Sequence, residues 1–81
     1  EVSGDVAGVA VSAVEGAIEV AGNIGASTAE VAREAAAGAI KAADTIGKET
    51  GRAVRNALMA AASLPRDVIE AVIKGSEGKD N

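Results

Sequence analysis

Apolar and polar side chains recur with a period of eleven residues between positions 10 and 75. When this part of the chain is written in rows of eleven, three columns hold only apolar or helix-ending residues, and two columns hold only polar ones. Eleven residues make three helical turns of about 3.67 residues, so a helix with this period keeps one stripe facing a neighbour. The stretches GAIEVAGNIG at 16–25 and GAIKAADTIG at 38–47 repeat at twice the same period. The pattern therefore predicts an all-α fold.

Local signals divide this pattern into helices. Ser27 and Glu30 have the spacing of a capping box and follow two glycines that can end a helix, which predicts a first helix over about 5–23 and a second beginning at 28. The second helix extends to 62, either unbroken or with a break near 47–51, and the sequence leaves both alternatives open.

Pro65 predicts the start of a last short helix over 65–74, with Gly75 as its C-terminal cap and a mobile tail over 75–81. We therefore expect a single α-helical unit over residues 1–81. Its architecture would be a helical hairpin or small bundle with close packing between Ala and Gly residues, followed by a short C-terminal helix after Pro65.

The apolar residues of the chain are mostly small. Its 81 residues include twenty Ala and ten Val but no Phe, Trp or Tyr, the side chains that usually bury the largest apolar areas. A single domain of this length has a thin core even with average composition. We therefore expect the fold to be stabilised further by copies of itself, by a partner or by a lipid surface.

Small residues also recur at every fourth position, where they form ladders along a helix face. Rows four apart are the ridges that interdigitate between packed helices, and small side chains let the two axes approach closely. The first ladder is Gly4, Gly8, Ser12 and Gly16, and the second is Ala35, Ala39, Ala43, Gly47 and Gly51. The larger residues predicted to pack or assemble beside them are Val6, Val9, Val20, Ile24, Val31, Ile40, Ile46 and Leu58.

The first predicted helix is apolar around most of its circumference. One narrow polar stripe contains Ser12, Glu15, Glu19 and Asn23, and apolar residues flank it on both sides. A helix this widely apolar is typically covered on more than one side. One neighbouring helix would not be enough.

Charge and residue types exclude several classes of function. The formal net charge is −4 and the basic residues are scattered, which argues against a nucleic-acid partner. The chain has no His and no Cys, so imidazole and thiolate catalysis and the usual zinc and haem ligand sets are absent. Glu15 and Glu19 are one turn apart, a spacing more typical of a solvated face than of a metal site. We expect no enzyme activity, no catalytic residue, no cofactor or metal and no small-molecule substrate.

No transmembrane span is predicted, because the longest stretches without a charge run only ten residues, at 20–29 and 56–65. The chain begins at Glu1 and its only Met is Met59, so we expect a processed or excised chain. The cellular compartment stays open.

The eleven-residue rhythm of Ala, Gly, Val and Thr resembles the lipid-surface helices of synucleins, exchangeable apolipoproteins and lipid-droplet coat proteins. This resemblance implies adsorption of an amphipathic helix to a membrane or lipid surface. Those families carry Lys at the edges of the apolar face, whereas the first helix here has no Lys. Our first expectation is a structural, self-assembling homo-oligomer, filament or coat. The alternatives are a lipid-surface helix protein and a helical module that binds a partner.

Overall fold

The computed structural model describes residues 2–77 and contains four helices. They are α1 (Val2–Ile24), α2 (Thr28–Ile46), α3 (Lys48–Ala60) and α4 (Arg66–Glu77). Residues 2–77 are 88% helical, and no strand occurs in this range. The prediction of an all-α small bundle is therefore confirmed.

The connection between α1 and α2 follows the chemistry of its glycine and serine residues. Gly25 has a φ of 78°, in the left-handed region that glycine adopts without strain. The amide of Ala26 donates to the carbonyl of Ala21 at 2.8 Å, which closes α1 as a Schellman motif. Ser27 then begins α2 as its N-cap, and its hydroxyl accepts a hydrogen bond from the amide of Glu30 at 3.3 Å. Helix α1 is longer than the predicted 5–23 by a few residues.

The chain turns at Gly47, between α2 and α3. The amide of Gly47 still bonds to the carbonyl of Ala43, and its own carbonyl accepts from the amide of Gly51, so both flanking helices keep their terminal hydrogen bonds. The sequence left open an unbroken helix or a break near 47–51, and the structure shows the break. Helix α3 packs against α2 instead of extending it.

Helix α4 continues beyond the predicted end at residue 74, and the prediction that Gly75 caps it is wrong. A left-handed cap requires a positive φ. Among the described residues Gly25 is the glycine with such a φ, so Gly75 does not have the geometry of this cap. The hydroxyl of Ser76 donates to the carbonyl of Ile73 at 2.9 Å and helps to hold the last turn. Residues 75–77 of the predicted mobile tail are thus helical, and 78–81 lie outside the described residues.

The core is built from a few branched side chains among many alanines. Helices α1, α2 and α3 each pack against the other two, and α4 packs on α2 and more lightly on α3. Within residues 2–77, α1 and α4 do not pack on each other. The hydroxyl of Ser63, between α3 and α4, donates a hydrogen bond to the carboxylate of Glu15 on α1. The largest fully buried side chains are Val14, Ile40, Val54, Leu58 and Ile69.

Candidate functional site

The structure divides the residues predicted to pack or assemble between the interior and the surface. Four of them are buried within the chain: Ile40, Ala43, Gly51 and Leu58. Five are half-buried: Val6, Val31, Ala35, Ala39 and Gly47. The other eight are exposed: Gly4, Gly8, Val9, Ser12, Gly16, Val20, Ile24 and Ile46. The predicted capping residues Ser27, Glu30 and Gly75 are also exposed.

The two small-residue ladders have different positions in the fold. The ladder from Ala35 to Gly51 is buried or half-buried throughout, and it brings α2 and the start of α3 into the bundle. The ladder from Gly4 to Gly16 is exposed, and a Cβ placed on any of its three glycines would meet no atom within 4 Å. The first ladder on α1 therefore makes no close helix contact inside the chain.

A row of large apolar side chains on α1 faces solvent. Val9, Val20 and Ile24 are 68%, 57% and 73% exposed, whereas Val14, about 80–140° around the helix from them, is fully buried. Ala13 lies between them at helical spacing and is exposed as well. We call the face formed by Val9, Ala13, Val20 and Ile24 the α1 stripe. The bundle covers one apolar side of α1 and leaves this side open.

A shallow apolar depression adjoins the C-terminal half of the α1 stripe. It has a volume of about 390 Å³ and lies between the end of α1 and the start of α2. All its lining residues are Gly, Ala, Val or Ile, and Gly16, Val20, Ile24 and Val31 are among them. The stripe and the depression together form one continuous apolar surface.

Acidic side chains border the α1 stripe. Asp5 lies one helical turn before Val9, and Glu19 lies about 100° around the helix from Val20. The described part of α1 contains no Lys or Arg. The charged side chains that border the exposed apolar surface of α1 are therefore all acidic.

A second surface feature is a groove between α2 and α4. It has a volume of about 650 Å³ and is lined mainly by apolar atoms from both helices. Ile40 and Val72 are buried at its base, and Arg33 and Lys41 line it on the α2 side. Its lining thus combines an apolar base with two cationic side chains.

A polar network at one end of this groove joins three helices. Arg55 on α3 donates through Nη1 and Nη2 to the two carboxylate oxygens of Asp44 on α2, at 2.9 Å each. Its Nε and Nη2 also donate to the hydroxyl of Ser76 on α4, at 3.2 and 3.1 Å. The hydrogen bonds from Arg55 lower the pKa of the Asp44 carboxyl; partial desolvation opposes this shift, and the positive charge of Arg55 adds to it. The network therefore links α2, α3 and α4.

Arg55 and Asp44 are not among the residues predicted from the sequence, although the sequence contains a signal for them. Both fall in one column of the eleven-residue array, which also holds Arg33 and Arg66. On one continuous helix, residues eleven apart would be separated by about 16 Å. The turn at Gly47 is what brings this pair into contact.

The described residues offer no cluster of three or more acidic side chains that could hold a metal ion.

Helix α1 is more apolar along its length than its short uncharged stretches suggest. Its segment Gly4–Ile24 has a mean hydropathy of 1.2 and is long and apolar enough, by length and composition, to cross a membrane. Only 22% of that segment is buried in the fold. Asp5, Glu15 and Glu19 lie within it.

Comparisons with known proteins give no further guide to function. No protein-family model, no curated protein and no solved structure matches this chain.

Proposed function

We propose that this chain is a non-enzymatic structural subunit that associates with copies of itself through the α1 stripe. The observation that carries the proposal is the exposure of Val9, Val20 and Ile24 along one helix face. Single exposed apolar residues are ordinary, but an aligned group beside an apolar depression is typical of an interaction site.

Burial of the α1 stripe offers a stabilisation that the isolated chain lacks. Covering each of its three large side chains contributes on the order of 1–2 kcal/mol, somewhat less than the value for full burial because each is already partly covered. The neighbouring glycines Gly8 and Gly16 have open space where a Cβ would be, so another helix can approach the α1 backbone closely. Close approach of many small groups offsets the absence of aromatic side chains.

A second candidate function is association with a lipid surface. The mean hydropathy of Gly4–Ile24 and its low burial favour this alternative. The charges oppose it, because interfacial helices carry Lys or Arg at the polar edge, whereas α1 has only acids, which anionic headgroups repel. Self-association requires no such headgroup contact.

Sedimentation velocity over a wide dilution series tests the proposal. Interference optics are needed because the chain has no Trp or Tyr. We expect the wild-type chain to sediment faster as its concentration rises, and Val20→Lys to remain monomeric. Ala42→Lys is the matched control, because it adds the same charge at an exposed position of α2 away from the stripe.

Each outcome has a distinct meaning. A wild-type chain that stays a compact monomer at every concentration contradicts self-association. A monomer that gains helical circular dichroism only with lipid vesicles favours the lipid-surface function instead. Association of Val20→Lys equal to that of wild type would show that the α1 stripe is not the contact.

A further inference from the structure

We infer that the α1 stripe of one copy docks into the groove between α2 and α4 of the next copy. This docking mode rests on the proposed self-association and names the surface that receives the stripe. It makes the contact heterologous: one surface of each copy binds a different surface of its neighbour.

The groove has the shape and lining that an apolar helix face requires. Its volume of about 650 Å³ lies between two helices, with Ile40 and Val72 buried at its base. Ala37, Ala71 and Gly75 line it and are exposed, so part of its wall consists of small residues that a second helix can approach. Small residues at such positions allow helix axes to approach closely.

Charge complementarity identifies the occupant. Arg33 and Lys41 line the groove, and within the described residues neither side chain forms an ion pair. The third charged residue of the lining, Asp44, is already bound by Arg55. An acidic-bordered apolar helix therefore matches the groove, and α1, with Asp5 and Glu19, is such a helix.

The charge distribution over the whole sequence points the same way. Residues 1–24 contain four of the twelve acidic residues and none of the eight basic ones, so the remaining residues are neutral overall and the first 24 carry the entire net charge of −4. Two α1 stripes packed against each other would bring acid against acid. Packing of α1 on the groove brings acid against base, which favours encounter and fixes orientation.

The two surfaces are available at the same time on one chain. The stripe side chains are exposed, and α1 makes no packing contact with α4 in the described range. Each copy therefore donates a stripe to one neighbour and accepts a stripe from another. A heterologous contact of this kind gives a ring when its rotation closes and a filament when it does not.

Complementary charge reversal tests this docking mode. Glu19→Lys and Lys41→Glu each put like charges across the contact, and we expect each variant alone to need about tenfold higher concentration than wild type to assemble. An equimolar mixture of the two variants restores opposite charges at every contact, so it should assemble near the wild-type concentration. Lys48→Glu is the control, with the same charge change at an exposed residue outside the groove.

The outcomes separate this docking mode from self-association in general. Wild-type assembly that Lys41→Glu leaves unchanged overturns docking in the groove but keeps self-association through α1. A mixture that stays as dissociated as each variant alone also overturns it. A wild-type chain that never assembles overturns the proposed function itself. Circular dichroism of each variant checks that its helix content equals that of wild type.

Discussion

Arg55 donates hydrogen bonds to Asp44 through both terminal nitrogens of its guanidinium, at 2.9 Å to each carboxylate oxygen. These residues are eleven apart in the chain and lie on different helices, because the chain turns at Gly47. The same guanidinium donates to Ser76 near the end of α4. One side chain thereby ties three helices together at the end of the groove that we propose as the docking surface.

Replacement of Arg55 by Lys should destabilise the fold by about 1 kcal/mol. Lys keeps the positive charge but cannot make the planar two-nitrogen contact or reach Asp44 and Ser76 together. The expected loss is at the upper end for a partly exposed ion pair, because Arg55 is only 16% exposed although Asp44 is 45% exposed. Urea unfolding followed by circular dichroism measures it. Arg52→Lys, at an exposed position on the same helix, should leave stability within about 0.5 kcal/mol of wild type.

The contribution of the Asp44 carboxylate should vanish in acid. Its pKa is lower in the folded chain than in the unfolded one, because Arg55 donates hydrogen bonds to the charged form. Its stabilisation is therefore fully present above the unfolded pKa of about 3.9 and is lost as the pH falls through the lower folded value. Wild type should be more stable than Asp44→Asn at pH 7, and the two should converge as the pH falls below about 4. A stability difference that stays constant between pH 7 and pH 2 would contradict this assignment.

Gly51 and Gly38 should respond differently to substitution by Ala. In both helices the change gains up to about 1 kcal/mol of helix propensity. A Cβ on Gly38 meets no atom within 4 Å, so Gly38→Ala should realise that gain. A Cβ on Gly51 would overlap Oδ1 of Asp44 and lie 3.1 Å from a guanidinium nitrogen of Arg55, so Gly51→Ala must displace the ion pair.

We therefore expect Gly51→Ala to give no gain in the free energy of unfolding, or a loss. The double-mutant cycle isolates the cause: in an Asp44→Ala background the obstructing oxygen is gone, and Gly51→Ala should then stabilise the fold. A full gain from Gly51→Ala in the wild-type background would show that the carboxylate moves aside without cost.

Local chemistry predicted the ends of helices better than it predicted their tertiary partners. The Schellman turn at Gly25 and the cap at Ser27 depend on a few adjacent residues, and their signals are visible in the sequence. The sequence left a break near Gly47 open and predicted that Gly75 caps the last helix. The chain turns at Gly47, whereas α4 continues past Gly75, where the Ser76 hydroxyl donates to the Ile73 carbonyl.

The candidate site was predicted only in part for the same reason. The sequence marks α1 as apolar on both sides of its polar stripe, but it does not say which side a single chain covers. The fold buries the side of Val14 and leaves Val9, Val20 and Ile24 exposed. The groove between α2 and α4 requires the turn at Gly47 and the placement of α4, neither of which the eleven-residue period specifies.

Salt should weaken assembly if the α1 stripe docks in the groove. Between about 0.1 M and 1 M NaCl the Debye length falls from about 10 Å to about 3 Å, which screens attraction between Glu19 on one copy and Lys41 or Arg33 on the next. Sedimentation at both salt concentrations should show a several-fold increase in the concentration needed to assemble. Lys41→Met keeps the apolar stem of the side chain but removes its charge, so the assembly of this variant should depend less on the salt concentration. If two α1 stripes paired with each other instead, salt would have the opposite effect on assembly. Screening would relieve the repulsion between their acidic residues, so assembly would strengthen as salt is added.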